Sequence, residues 1–374
     1  MRVVQVVGAR PQFIKYHAVA KALEGLDEIT DVLVHTGQHY DYAMSEVFFR
    51  DLGIRPPDHH LGVGSGSQGA QTGEILRAVE AVLLRERPQA VVVYGDTNTT
   101  LGAALAASKL HLPVVHVESG LRSFDKRMPE EINRVLTDHV SALLLCPTEM
   151  AVRNLLAEGF RNAENRVELV PETCTVDGLE VDSSHPLALN VGDVMYDVLL
   201  EIRDTAAERS RILEELSLCP QSYAVMTLHR AANTDDVTRC GEILEFVSRA
   251  TRGMEVIFPV HPRTRRFLAA TSLNLGKNVR VIEPLGYLDM VRLVGGASLM
   301  LTDSGGLQKE CYWLGVPCIT LREETEWVET IQAGWNVLYK NYSGEHSQRD
   351  CRSRFYGDGR AAHRIVRAIW GAFS

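Results

Sequence analysis

The chain of 374 residues lacks several things, and each absence removes a class of function. No apolar run approaches the roughly 20 residues that span a bilayer, so a membrane helix is not expected. Residues 1–8 contain an apolar stretch too short for a signal-peptide core, with no cleavage site behind it. That stretch reads as a first buried strand, and a cytoplasmic location is expected. Basic residues are in the minority, 39 Lys and Arg against 48 Asp and Glu. The resulting net charge of -9 argues against a nucleic-acid partner, although a local cation or helix N-terminus still suffices for a phosphate. The seven cysteines are odd in number and form no CxxC pair, so reduced, buried thiols are expected. No GxGxxG occurs, which leaves a nicotinamide cofactor unsupported, and no GxSxG marks a nucleophilic serine. His59-His60 and His35 with His39 lack cysteines or carboxylates at ligand spacing, so no metal is expected.

What the chain does contain is a steady alternation of short β-rich runs and amphipathic helices. Apolar runs at 3–7, 32–35, 90–94, 114–117 and 143–146 read as strands, and the pattern restarts at 223–228, 255–260, 279–282, 299–302 and 317–321. Such alternation implies parallel sheets covered by helices on both faces. The length exceeds one ordinary core and fits two α/β domains. Residues 171–189 are polar and without period, which places the junction near residue 190. The expected domains are 1–189 and 190–374, with the amphipathic segment 361–373 packing back across the junction.

Open α/β sheets bind ligands at the carboxyl ends of their strands, so residues just after strands carry most weight. After the first run, Arg10 and Lys15 stand at a helix start and are placed to hold a phosphate; a solvated helix start is the plainer alternative. After 90–94 comes Asp96, a carboxylate that also suits an N-cap. After 114–117 comes Glu118, directly on a strand end beside Ser119 and Gly120, where capping explains it less well. Glu130 and Glu131 open a further helix, and its dipole favours at least one of them there for structural reasons. Asp96, Glu118 and Glu130 at successive element ends imply one acidic cleft suited to proton transfer. In the second half, His229 ends a strand and is suited to acid, base or phosphate-donor work. His261 reads better as packing or rim contact. Ser304, Gly305 and Gly306 lie between a strand and a helix, where free N–H groups leave room for a pyrophosphate. Glu310, one turn on, suits two ribose hydroxyls, and Arg322 is a further phosphate candidate.

Taken in order, the motifs resemble those of the non-hydrolysing UDP-N-acetylglucosamine 2-epimerases. They are GARPQFIK at 8–15, HTGQHYD at 35–41, YGDTNTT at 94–100, HVESGLRS at 116–123, MPEEINR at 128–134 and NVGDVMYD at 190–197. LHR at 228–230, DSGGLQKE at 303–310 and TLREETEWVE at 320–329 complete the set. The resemblance implies a GT-B fold: two doubly wound, Rossmann-like domains with an interdomain cleft. It implies a UDP-sugar substrate, no cofactor and a homodimer. It also implies a reaction: C2 deprotonation, anti elimination of UDP, and re-addition to the bound glycal after reprotonation on the other face. Asp96, Glu118 and Glu130 resemble the family's catalytic carboxylates, and His229 its histidine near the leaving diphosphate. Arg10, Lys15, Ser304, Gly305, Gly306, Glu310 and Arg322 resemble its UDP-binding groups.

Three departures bear on substrate and rate. Ala232 stands where the family has a Glu, Ser119 where it has an Ala, and 171–189 is longer than the usual link. The Ser119 hydroxyl is expected to alter the C2 chemistry or meet a different sugar substituent. GQHYD at 37–41 and EWVE at 326–329 look more like the subgroup of archaeal enzymes and UDP-2,3-diacetamido-glucuronate epimerases, with little activation by UDP-GlcNAc expected. Among other classes, a GT-B glycosyltransferase would share the diphosphate turn but would not need the three acids. A non-catalytic UDP-sugar binder is motivated by Ser119 and Ala232, while His229-Arg230 argues against a hydrolysing epimerase.

Overall fold

The computed structural model describes residues 1–26, 28–38, 53–164, 181–344 and 354–374. They fall into two compact units, one of residues 1–198 with 354–374, the other of residues 199–353. The first unit holds an eight-stranded sheet of order β3-β2-β1-β4-β5-β6-β8-β7. Its strands are β1 (Arg2–Val7), β2 (Thr30–His35), β3 (His59–His60), β4 (Ala90–Tyr94), β5 (Val114–Val117), β6 (Leu143–Cys146), β7 (Asn162–Glu164) and β8 (Leu187–Asn190). The second holds six strands, β9 (Tyr223–Thr227), β10 (Glu255–Pro259), β11 (Val279–Ile282), β12 (Leu299–Thr302), β13 (Cys318–Thr320) and β14 (Asn336–Leu338). Their order is β11-β10-β9-β12-β13-β14. Every pairing in both sheets is parallel.

The sequence forms these sheets because the central strands are apolar on both faces. In β9, Ala224 and Met226 enter one core with Ile243, Leu244 and Phe258, while Tyr223 and Val225 enter the opposite core with Leu293, Val294 and Met300. In the first unit Val4 and Val6 of β1 pack with Val91 and Val93 of β4, Ile75 and Val79. Burying each such aliphatic side chain contributes roughly 1.5–3 kcal/mol. In both sheets the winding reverses beside the first strand of the unit, between β1 and β4 and between β9 and β12. Ligands bind such sheets outside the carboxyl ends at that reversal.

One feature of the division differs from the sequence reading. Leu187–Asn190 reads largely as link from the sequence, yet it is a strand of the first sheet, paired with β6. Three apolar residues behind a polar stretch give too little pattern to reveal it; residues 171–180 lie outside the described residues. The helix Ala361–Phe373 belongs to the first unit, where its residues lie against the helix Arg10–Leu23. The NVGDVMYD segment fastens it: Asp197 Oδ2 accepts the Ala362 N–H at 2.7 Å, and Arg364 donates to the Val191 carbonyl at 3.3 Å.

Candidate active site

In the first unit the reversal is tied by one side chain that the sequence reading passed over. Gln12, in α1 (Arg10–Leu23), accepts the N–H groups of Gly8 and Ala9 at 2.8 and 3.0 Å and donates to the Tyr94 carbonyl at 2.7 Å. It joins the end of β1 to the end of β4. Lys15, one turn along α1, reaches Glu118 with Nζ 2.6 Å from Oε1, and both side chains are nearly buried. Glu118 has φ of +70°, a left-handed conformation that a glutamate adopts at a cost of order 1–3 kcal/mol. Strained backbone of this kind clusters at functional sites. Gly95 has φ of +62°, and a β-carbon there would sit 3.3 Å from Lys15 Nζ and 3.4 Å from Glu118 Oε1. Asp96 therefore begins directly beside the Lys15–Glu118 pair.

Asp96 is not the helix cap that its position allowed. Thr97 caps Asn98–Lys109, accepting the Thr100 N–H, which leaves the Asp96 carboxylate to pair with Arg134. Arg134 and Asn133 lie on α2 (Pro129–Val140), and Asn133 Nδ2 donates to the Asp96 carbonyl at 3.0 Å. The two glutamates that open α2 separate cleanly. Glu131 is buried and accepts from Ser123 and from the Phe124 N–H at 2.9 Å, so it fastens the preceding loop. Glu130 is half-buried and makes no hydrogen bond or ion pair among the described residues. It stands one turn before Asn133 and Arg134, on the helix side that reaches Asp96.

Ser119 corrects an expectation. Its side chain is fully buried and its Oγ lies 3.4 Å from Cys146 Sγ, where burial pushes the thiol up to about 12. The hydroxyl therefore faces the core. His35, His59 and His60 all have side-chain partners. His35 stacks between Phe13 and His60, with centroids 4.9 and 4.6 Å away. Burial, with His60 beside it, lowers His35 to about 4. His59 Nε2 lies 2.9 Å from Glu86. His39 and the Arg10 side chain lie outside the described residues.

In the second unit the reversal carries His229 after β9 and Asp303 after β12. The His229 Nδ1 lies 3.1 Å from Asp303 Oδ1, with the imidazole 44% exposed and the carboxylate fully buried. Asp303 also accepts the N–H groups of His229 and Arg230 at 3.0 and 2.9 Å and the Asn233 amide at 3.1 Å. Burial alone would raise this carboxyl, but His229 and those N–H groups hold it down at about 2. The orienting role of Asp303 was not read from sequence, although its place after a strand and before Ser304 was the available signal.

The helix Gly305–Leu314 follows. Ser304 is its N-cap but supplies no side-chain cap, so the first-turn N–H groups stay available to an anion. Gly305 is required for space: a β-carbon would lie 2.6 Å from Glu326 Oε1 and 3.0 Å from Trp327 Nε1. Glu326 also gathers cations, with Arg322 Nη1 at 3.0 Å and Arg230 Nη2 at 3.7 Å. Arg322 is thus buried on Glu326, while Arg230, a quarter exposed, is a cation that the sequence reading did not assign to the diphosphate. Glu310 is buried and accepts from the Tyr287 hydroxyl at 3.3 Å. His261 is exposed, and the side chains of Ala231 and Ala232 lie outside the described residues. Among the described residues no three His, Cys, Asp or Glu side chains gather as metal ligands, and no helix is long and apolar enough to cross a membrane.

The sequence model of the UDP-N-acetylglucosamine 2-epimerases matches residues 21–370. The chain belongs to the UDP-N-acetylglucosamine 2-epimerase family. This epimerase is 43% identical to a UDP-N-acetylglucosamine 2-epimerase homolog of Methanococcus maripaludis, over 99% of each chain. It is 42% identical to the UDP-2,3-diacetamido-2,3-dideoxy-D-glucuronate 2-epimerase of Pseudomonas aeruginosa, over 98% of each chain. The crystal structure of the Methanocaldococcus jannaschii UDP-GlcNAc 2-epimerase in complex with UDP-GlcNAc and UDP matches it with a TM-score of 0.84 at 38% identity, over 99% of each chain. The epimerase is an isomerase with two parallel-sheet α/β domains of the GT-B type.

Proposed function

We propose that the epimerase interconverts UDP-GlcNAc and UDP-ManNAc through elimination and re-addition of UDP, with the acids of the first unit serving C2 and the second unit holding UDP. The observation that carries this reading is Glu118, a carboxylate on left-handed backbone with Lys15 at 2.6 Å and Asp96 adjacent. Epimerisation at C2 needs proton transfer on both faces, hence more than one acid–base group. Glu118 takes the C2 proton, the Lys15 ammonium stabilising its negative charge before the transfer. Glu130, without an ion-pair partner among the described residues, supplies the proton on the other face. Asp96, bound by Arg134, orients the sugar. Departing UDP leaves a negative diphosphate, which the N-terminus at Gly305 and Gly306, His229 and Arg230 stabilise. Glu310 receives the ribose. Arg322 acts through Glu326, which it holds beside the glycine turn. Arg10 remains a proposed phosphate ligand.

The sugar end has a second reading, favoured by one observation: the diacetamido-glucuronate epimerase is as similar as the relative named for UDP-GlcNAc. A substrate panel in D₂O, followed at C2 by NMR, tests both. Deuterium at C2 of UDP-GlcNAc with UDP-ManNAc formed is the expected result. Exchange confined to the diacetamido-uronate transfers the same mechanism to that substrate. UDP with free sugar would overturn the non-hydrolysing mechanism. The same reading carries a cytoplasmic homodimer, which fractionation and sedimentation test.

A further inference from the structure

Beneath the first unit's carboxylates lies a buried set of side chains that the proposed chemistry does not use. His116 Nε2 is 2.7 Å from the Gly95 carbonyl, and its Nδ1 is 2.6 Å from Asp138 Oδ1. The other Asp138 oxygen accepts the Gly120 N–H at 3.1 Å and the Arg122 guanidinium at 2.7 Å. Arg122 in turn makes a two-pronged contact with Glu158, at 2.6 and 2.7 Å. His116 and Asp138 are fully buried. A carbonyl oxygen only accepts, so His116 Nε2 carries a hydrogen, and one proton lies on the short line between Nδ1 and the carboxylate.

The connections made by this set are specific. Gly95 immediately precedes Asp96, and Gly120 follows Glu118 by two residues. Asp138 therefore ties the turn after β4, which it reaches through His116, to the turn after β5, which it contacts directly. Both turns contain left-handed backbone, at Gly95, Glu118 and Gly120, which persists only where surroundings restrain it. Burial alone would raise the Asp138 carboxyl, yet His116 and Arg122 hold it below the usual range. Buried ion pairs rarely stabilise a fold more than apolar residues of equal volume, so stability alone is a poor account of this one. Directional hydrogen bonds fix two loops in a way that apolar packing does not.

On the reading that the chain is a UDP-sugar 2-epimerase, we propose that His116 and Asp138 are positioning residues that set the aim of the Asp96 and Glu118 carboxylates at the sugar. Asp138→Asn keeps every contact, since its amide donates to a neutral Nδ1 and its oxygen accepts from Gly120 and Arg122. Asp138→Ala keeps none of them.

The test is steady-state kinetics on the full chain with UDP-GlcNAc and the diacetamido-uronate, beside UDP titration calorimetry and thermal melts. Asp138→Ala is expected to lose about 10²-fold in kcat, the cost of a misplacement of roughly an ångström, with KM and UDP affinity nearly unchanged. Asp138→Asn is expected to recover most of that loss. A kcat for folded Asp138→Ala within about threefold of the parent, or no recovery with Asn, overturns the latch. Should Asp138→Ala fail to fold, ¹⁵N-histidine NMR on the parent decides: slowly exchanging N–H signals on both His116 nitrogens support the latch, and rapid exchange overturns it. A parent that exchanges no C2 proton in either UDP-sugar overturns the proposal through the reading it rests on, whereas an active parent with an unaffected Asp138→Ala overturns the latch alone.

Discussion

The two units share one winding and use it differently. Six strands of the first sheet, β3-β2-β1-β4-β5-β6, run in the same order as all six of the second. In the first unit the turns past the strand ends carry carboxylates held by cations from elsewhere: Glu118 by Lys15 and Asp96 by Arg134. In the second the exit of β13 is rich in glutamate, but the two turns at the reversal, after β9 and β12, carry one acid between them. One buried carboxylate, Asp303, orients the half-exposed His229, and glycines leave backbone N–H groups open. The backbone topology sets where a site forms, and side chains set which chemistry it serves. Proton transfer needs fixed carboxylates; a diphosphate needs donors and room.

The largest effect that separates the units is expected from Glu118→Gln. It should lower kcat by about 10²–10⁴-fold, the range for loss of a general base. UDP affinity, assigned to the second unit, should hold in calorimetry. Loss of UDP binding with kcat preserved would reverse the division of labour.

Asp303→Asn is the counterpart in the second unit and should be milder. The isosteric amide keeps the shape but removes the charge facing His229 Nδ1, and a misoriented imidazole should cost about 10²-fold in kcat/KM. This residue also has an acid signature. Its carboxyl is held down at about 2 in the fold, below the roughly 3.9 of an unfolded Asp. The stabilisation it provides is therefore present above about pH 4 and is lost as pH falls towards 2. Melting temperatures across that window should fall more steeply for the parent than for Asp303→Asn. Parallel curves would break the assignment.

A smaller effect tests space rather than charge. A β-carbon at Gly305 meets Glu326 Oε1 at 2.6 Å, whereas one at Gly306 meets only Ser304 Oγ, at 4.0 Å. Gly305→Ala is expected to weaken UDP by about tenfold, or ~1.4 kcal/mol, in calorimetry. Gly306→Ala should weaken it less. The reverse order would show that the first-turn N–H groups, not the Glu326 contact, make that glycine pair necessary.

The parts of this molecule that could be read from sequence were those written in local pattern. Apolar runs ending in Gly-Asp, Glu-Ser-Gly or Asp-Ser-Gly-Gly place strand, turn and helix within a few residues of one another. Asp96, Glu118, Glu130, His229 and Ser304 stand past strand ends or at a helix start for that reason. Partners were not legible. His116 and Asp138 are 22 residues apart, Lys15 and Glu118 are 103 apart, and His229 and Asp303 are 74 apart. Only the fold brings them together. Local rules also misdirect where two candidates compete. Asp96 and Thr97 both suit an N-cap; the threonine takes the role, and the aspartate pairs with Arg134.

Ser119 gives the smallest expected effect and a sharp check on that lesson. Its place beside Glu118 made it a candidate for altered sugar chemistry. Its hydroxyl instead faces Cys146 Sγ at 3.4 Å, with no exposure. A thiol is a weak hydrogen-bond partner, so Ser119→Ala should cost about 1 kcal/mol of stability or less. The rate and the choice between UDP-GlcNAc and the diacetamido-uronate should be unchanged, since the methyl group of alanine leaves Glu118 and its backbone where they are. A shift in substrate preference in the exchange panel would mean that this hydroxyl acts on the sugar through the Glu118 turn. Unaltered preference would leave the choice of sugar to side chains other than Ser119.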